Sequence, residues 1–151
     1  MEFILLVLIT YIGLLIGSLI SSFTKEELKQ GRKYFKLLKA VVFSVVFYYF
    51  FEYLNLYFII SIFLTIILFF ISFSMIRKQP NNNLFFYSFF SIVMYETIGY
   101  NAVIPLMIFV FGMLSSSIEY DADCGMMQNI KIGLSKNLLY PVLCVILYFI
   151  F

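Results

Sequence analysis

Residues 40–76 read AVVFSVVFYYFFEYLNLYFIISIFLTIILFFISFSMI, an apolar run whose one charged residue is Glu52. As one straight helix this run would be about 55 Å long, whereas the hydrocarbon core of a bilayer is roughly 30 Å thick. Lys39 and Arg77 border the run, and basic residues collect on the cytoplasmic side of a membrane. The run therefore predicts a helical hairpin that turns near Glu52 and Asn55.

The composition of the whole chain indicates an integral membrane protein. It is 64% hydrophobic and 12% charged over 151 residues, with a mean hydropathy of +1.04, against roughly 45–50% apolar and about 25% charged residues in soluble domains. All ten Lys and Arg lie in residues 25–39, 77–78 and 131–136. We expect these stretches to be cytoplasmic and both termini to lie outside the cell membrane.

The predicted fold is all-α: a polytopic transmembrane helical bundle of about six spans in a single domain, joined by short loops. The predicted spans are residues 2–23, 38–53, 56–76, 84–99, 102–118 and 132–151. An alternative is five spans with a terminal re-entrant or interfacial helix. A cleaved signal peptide is disfavoured for the first span because Glu2 replaces the usual basic residues and positive charge follows the apolar run.

The second predicted hairpin, residues 84–118, contains polar residues at its turn. Glu96, Gly99, Asn101 and Pro105 mark that turn, and its resemblance to the first hairpin hints at a duplicated unit. Charged or polar groups inside a span are functional candidates by default. The intramembrane polar candidates are Glu52, Glu96 and Asn101, although both carboxylates could instead reach the outer headgroups.

The basic segment after the first span predicts a connector that lies on anionic headgroups. Thr24 and Glu27 have capping-box spacing, so we expect a short helix that begins here and stops near Gly31. Lys36 and Lys39 are expected to snorkel to the interface. The residues predicted to contact anionic lipid are Lys25, Lys29, Arg32, Lys33, Lys36 and Lys39.

Small residues follow one face of the first span. Gly13 and Gly17 form a G-x-x-x-G motif that Ser21 extends. Such a stripe allows another backbone to approach closely. The motif is consistent with packing inside one chain and with a homo-oligomer.

An acidic patch, Glu119, Asp121 and Asp123, resembles the first three ligands of a calcium loop. The glycine expected next arrives one position late as Gly125, and Ile130 at the twelfth position cannot ligate, which excludes an EF-hand. A looser divalent-cation site or a site for a basic partner remains open, beside a merely solvated patch.

Several chemistries are poorly supported. The chain has no His to activate a nucleophile, and Cys124 and Cys144 have no metal-ligand spacing, so both are expected to be free thiols. The spacing of Glu26, Glu27 and Arg32 superficially resembles the motif of intramembrane glutamic proteases, but the arginine lies one residue further along the chain than that motif requires. The sequence predicts no cofactor and no nucleic-acid partner.

The segment EELKQGRKYFK, residues 26–36, resembles a segment of uncharacterised small multi-pass membrane proteins of archaea, with Gln30 in place of an expected proline. The resemblance covers only the first loop, implies a multi-pass membrane protein, and brings no catalytic residues.

Three functions follow from these patterns. The favoured one is a non-catalytic scaffold or accessory subunit of a membrane complex, whose partner docks on the bundle or the basic loop. The alternative is a transporter or channel for protons, cations or a cationic solute, with Glu52 and Glu96 converging on one cavity. The third is a lipid-modifying enzyme with a metal held by Glu119, Asp121 and Asp123.

Overall fold

A computed structural model describes residues 2–79, 83–100, 102–121 and 123–150, except for the side chains of Glu2, Lys25, Glu26 and Lys29. These residues contain seven helices and no β-strand, which confirms the all-α helical bundle. The helices are α1 (Glu2–Phe23), α2 (Lys25–Tyr53), α3 (Phe58–Lys78), α4 (Leu84–Glu96), α5 (Val103–Glu119), α6 (Met126–Lys136) and α7 (Leu139–Ile150).

Four helical segments of the described chain are long and apolar enough to cross a membrane: Phe3–Phe23, Gln30–Tyr53, Phe58–Lys78 and Met126–Ile150. The apolar helices α4 and α5 are shorter, with 13 and 17 residues, or about 20 and 26 Å of helix. Each of the six apolar segments of the sequence therefore contains helix, but the helices of two of them are shorter than a full bilayer crossing.

Both predicted turns are present. α2 ends at Tyr53, and Asn55 adopts a left-handed conformation with φ of 55° before α3 begins. Asn tolerates this conformation better than most residues, which explains a turn without Gly or Pro. In the second turn Gly99 has φ of 77°, a conformation that glycine adopts without a steric penalty.

The predicted short helix ending at Gly31 is wrong, because α2 runs without a break from Lys25 to Tyr53. Thr24 precedes the helix as predicted but makes no side-chain cap; its hydroxyl donates to the carbonyl of Ile20 at 3.1 Å. A glycine inside a helix costs about 1 kcal/mol relative to alanine. That penalty is small compared with the stabilisation gained by burying apolar side chains such as Leu28 on the same helix.

The small-residue stripe of α1 packs against α5. A methyl group at Gly13 would overlap the carbonyl oxygen of Phe109, and one at Gly17 would overlap that of Met113. Ser21 is fully buried. The G-x-x-x-G motif therefore serves packing within one chain, and this face is not free for a homo-oligomer.

Aromatic side chains fill the core between α2, α4 and α5. The Phe43 ring meets the Phe86 ring edge-on at 4.9 Å between centroids, and the Phe90 and Phe111 rings meet in the same way at 4.8 Å. Edge-to-face pairs of this kind stabilise a core beyond their area burial. The core thus ties the two predicted hairpins together.

The two hairpins pack differently, which gives no support to a duplicated unit. α2 lies along α3, whereas α4 packs mainly on α7 and α5 mainly on α1 and α2. The two turns nevertheless lie at one end of the bundle, because the Tyr53 and Tyr100 rings are 5.1 Å apart. The chain ends meet as well, with the Phe3 ring stacked on the Tyr148 ring at 5.2 Å.

The last apolar segment is broken at residues 137–138, between α6 and α7. Pro141 has no amide hydrogen, and its ring would clash with the carbonyl of Asn137 in a continuous helix. The amide of Tyr140 bonds that carbonyl at 3.2 Å instead, and the Asn137 side chain donates to the carbonyl of Gly133 at 2.8 Å. The break is therefore a local consequence of proline.

Candidate functional site

The main polar feature inside the bundle is a charged cluster that links three helices. Lys39 of α2, Asn83 before α4 and Glu119 at the end of α5 form it, and we call it the Lys39 cluster. Lys39 Nζ donates a hydrogen bond to Asn83 Oδ1, and Asn83 Nδ2 donates to Glu119 Oε1. One side-chain amide thus connects a cation to an anion.

The predicted contact between Lys39 and anionic lipid is wrong. Its side chain is fully buried, and Nζ lies 5.0 Å from the centroid of the Phe111 ring and 5.6 Å from that of Phe86. A buried ammonium is tolerated only with partners, and Asn83 and these two ring faces supply them. Lys39 lies on the face of α2 that packs on α5, so its side chain is buried there and does not extend to the membrane interface.

Asn83 was not among the predicted site residues. In sequence it is the last residue of a polar loop, which predicts exposure to solvent. In the structure it is 3% exposed and precedes the first residue of α4. The run of asparagines was the only sequence signal, and it did not distinguish one member from the others.

The acidic patch does not form the divalent-cation site that the sequence left open. Glu119 is bonded to Asn83, whereas Asp121 and Asp123 are exposed, and the Asp121 carboxylate accepts the amide hydrogen of Asp123 at 3.1 Å. Among the described residues no group of three His, Cys, Asp or Glu could hold a metal ion. The three carboxylates therefore do not converge on one position, although they alternate in the sequence.

Asn129 of α6, which the sequence did not single out, holds the acidic loop. Its amide nitrogen donates to the carbonyls of Asp121 at 2.8 Å and Cys124 at 3.2 Å, and its amide oxygen accepts the amide hydrogen of Asp121 at 3.0 Å. Partial burial and the Asp121 carboxylate raise the pKa of the Cys124 thiol, which disfavours a reactive thiolate. Cys124 and Cys144 are both free.

Part of the basic connector is docked on this loop. Arg32 Nη2 donates to the carbonyl of Tyr120 at 2.7 Å. Lys33 remains exposed above the Tyr34 ring, and Lys36 is half-buried. The side chains of Lys25 and Lys29, also predicted to contact lipid, lie outside the described part of the chain.

Glu52 and Glu96 are both exposed, at the ends of α2 and α4. Glu52 lines a crevice of about 280 Å³ at the α2–α3 turn, and Glu96 is not among the residues that line it. Asn101, the third intramembrane candidate, lies outside the described residues. The two carboxylates thus share an end of the bundle but not this crevice.

A second buried polar contact joins α1 to α7. The hydroxyls of Thr10 and Tyr140 are 2.8 Å apart, both fully enclosed, and Ser91 of α4 donates to the carbonyl of Tyr140 at 3.3 Å. Hydroxyl contacts between helices are a common means of fixing helix pairs in membranes. Together with the Lys39 cluster they hold helices in register; neither contact sets a nucleophile beside a base.

No protein-family model, no curated protein and no solved structure matches this chain.

Proposed function

We propose that the chain is a multi-pass protein of the cell membrane, with both termini outside and its basic loops cytoplasmic, and that it serves as a non-catalytic scaffold or accessory subunit of a membrane complex. The observation that carries this proposal is the difference between α3 and the rest of the bundle. α3 packs mainly on α2 and exposes large apolar side chains from Phe58 to Ile71, while α5 packs against both α1 and α2.

The exposed side chains of α3 are large. Ile59 is 80% exposed, and Phe63 and Phe70 are each 64% exposed, whereas only Ser61, Ser72 and Ile76 of this helix are buried. Burying apolar surface is favourable by about 25 cal/mol per Å². Lipid tails or an apolar helix of a partner can both cover this face, and a partner helix is the feature that a scaffold requires.

The contacts at the two ends support alternating crossings. The α2–α3 and α4–α5 turns meet at one end through Tyr53 and Tyr100. The Lys39 cluster joins the start of α4 and the end of α5 to the middle of α2, and Arg32, nearer the start of α2, bonds Tyr120 just after α5. Basic residues favour the cytoplasmic side, so the turns belong outside. The short helices α4 and α5 can cross with their flanking turns or with local thinning of the bilayer.

Transport has less support. It needs Glu52 and Glu96 to converge on one cavity, but both are exposed and the crevice at Glu52 does not include Glu96. A metal-dependent enzyme has least support, because Glu119 is bonded to Asn83 instead of being grouped with Asp121 and Asp123.

Photo-crosslinking on α3 tests the scaffold. Benzoylphenylalanine at Phe63 should give one discrete adduct with a membrane protein in the native host, and excess wild-type chain should compete it away. The same probe at Leu5, which is 60% exposed on α1, is the control and should react with lipid. If both positions give only lipid adducts and the isolated protein conducts cations in vesicles, the scaffold proposal is rejected and the transporter is favoured.

A further inference from the structure

A crevice of about 280 Å³ lies where α2 turns into α3, at the end of the bundle assigned to the outside. Its lining residues are Tyr48, Glu52, Asn55, Leu56, Phe58 and Ser61. The volume is close to the lower end of small-molecule pockets, roughly 300 Å³. It suits a ligand of a few heavy atoms.

Three polar side chains of this crevice, Glu52, Asn55 and Ser61, offer hydrogen-bond acceptors. The Ser61 hydroxyl donates to the carbonyl of Tyr57 at 3.3 Å, and the Asn55 amide nitrogen donates to the carbonyl of Tyr53 at 3.5 Å. The Ser61 hydroxyl hydrogen and one N–H of the Asn55 amide are thus used by the backbone, while the amide and hydroxyl oxygens can still accept. The Glu52 carboxylate adds a negative charge and only accepts.

Aromatic rings complete the lining. Tyr48 lies one turn before Glu52 on α2, so both side chains share a face of the helix, and Phe58, the first residue of α3, is 66% exposed. Ring faces attract cations by about 0.5–1 kcal/mol at exposed sites. A carboxylate, two neutral oxygens and two rings favour an organic cation over an anion or a neutral polar molecule.

We propose that this crevice binds a primary organic ammonium group, with Glu52 as its counter-ion. A primary ammonium has three N–H donors, which match the oxygens of Glu52, Asn55 and Ser61. The group can belong to a soluble amine or to the headgroup of an aminolipid in the outer leaflet. This site does not depend on the scaffold role, because it lies at the α2–α3 turn and the first turn of α3; only its assignment to the outer leaflet rests on the topology proposed above.

Ligand-observed NMR of the purified full chain in a nonionic detergent tests the site, with ethylammonium as the probe. Wild type and Glu96→Gln should bind alike, because Glu96 is also an exposed carboxylate but does not line the crevice. Glu52→Gln should weaken binding by about tenfold, since it removes the charge and keeps the shape. Tyr48→Leu should also weaken it, and circular dichroism checks that each variant remains helical.

Two results overturn the proposal: binding of ethylammonium that Glu52→Gln leaves unchanged, and equal binding of tetramethylammonium, which has no N–H donor. A second measurement identifies the source of the amine. In nanodiscs of phosphatidylethanolamine and phosphatidylglycerol, retention of the aminolipid by wild type and Glu96→Gln but not by Glu52→Gln identifies a headgroup. Binding of ethylammonium without such retention identifies a soluble amine. If the folded wild type shows neither form of binding, the site is refuted.

Discussion

Lys39 and Glu119 lie on different helices, and the side chain of Asn83 bridges them: the ammonium donates to the amide oxygen, and the amide nitrogen donates to the carboxylate. This arrangement connects α2, the start of α4 and the end of α5. Lys39 and Asn83 are both buried, where polar groups need hydrogen-bond partners. The cluster therefore determines how these helices meet.

Removing either charge alone should destabilise the protein strongly. We expect Lys39→Met and Glu119→Leu each to lower the free energy of unfolding by about 3 kcal/mol, because the remaining charge then lacks the opposite charge of the cluster in a low-dielectric site. The double variant should lose less than the sum. Denaturant titration in detergent, followed by circular dichroism, measures these values. Lys33→Met, at an exposed position, is the control. Strict additivity would show that the two charges do not interact through Asn83.

Enlarging Gly17 should disrupt the packing of α1 on α5. A side chain at this position overlaps the backbone of Met113, so Gly17→Val should destabilise the fold by roughly 1–3 kcal/mol. Gly125→Ala is the matched control, because no atom lies within 4 Å of the position that its Cβ would take. Thermal unfolding of both variants provides the comparison. An unchanged midpoint for Gly17→Val would contradict the close approach of α1 and α5.

Labelling of single cysteines tests the membrane topology. In a chain with Cys124→Ser and Cys144→Ala, an impermeant maleimide added to intact cells should label Leu54→Cys but not Gln79→Cys. The two positions are exposed and lie at opposite ends of α3. Disruption of the membrane should make both reactive, which controls for accessibility. The reverse pattern in intact cells would place the basic loops outside.

The basic connector should retain anionic lipid through Lys33, which is exposed, and Lys36, which is half-buried. Each cation near an anionic leaflet contributes about 1 kcal/mol, and salt weakens that contribution. Lys33→Gln with Lys36→Gln should therefore reduce the phosphatidylglycerol that copurifies from mixed nanodiscs. Gln30→Ala, an exposed neutral position nearby, should have no effect. Lipid quantification at low and high salt checks the result, and retention that is insensitive to salt and to both charges would count against an electrostatic contact.

The positions of the helices and turns follow from local chemistry. Long apolar runs leave the backbone no hydrogen-bond partners in lipid except its own, so they become helices. Asn55 and Gly99 mark the turns because they tolerate positive φ. The prediction that a helix ends near Gly31 was wrong, because the packing of a whole helix face outweighs the weak preference of one glycine against helix.

The neighbours of each side chain depended on the tertiary structure. A basic residue beside a span reads as a lipid contact, yet the rotation of α2 about its axis turns Lys39 towards α5 and Asn83. Glu52 and Glu96 occupy equivalent places in the sequence, but only Glu52 lines the crevice formed by the α2–α3 turn. The pattern of charges along a chain encodes distance along a helix. It does not encode the rotation of that helix against its neighbours, which the packing of all the side chains determines together.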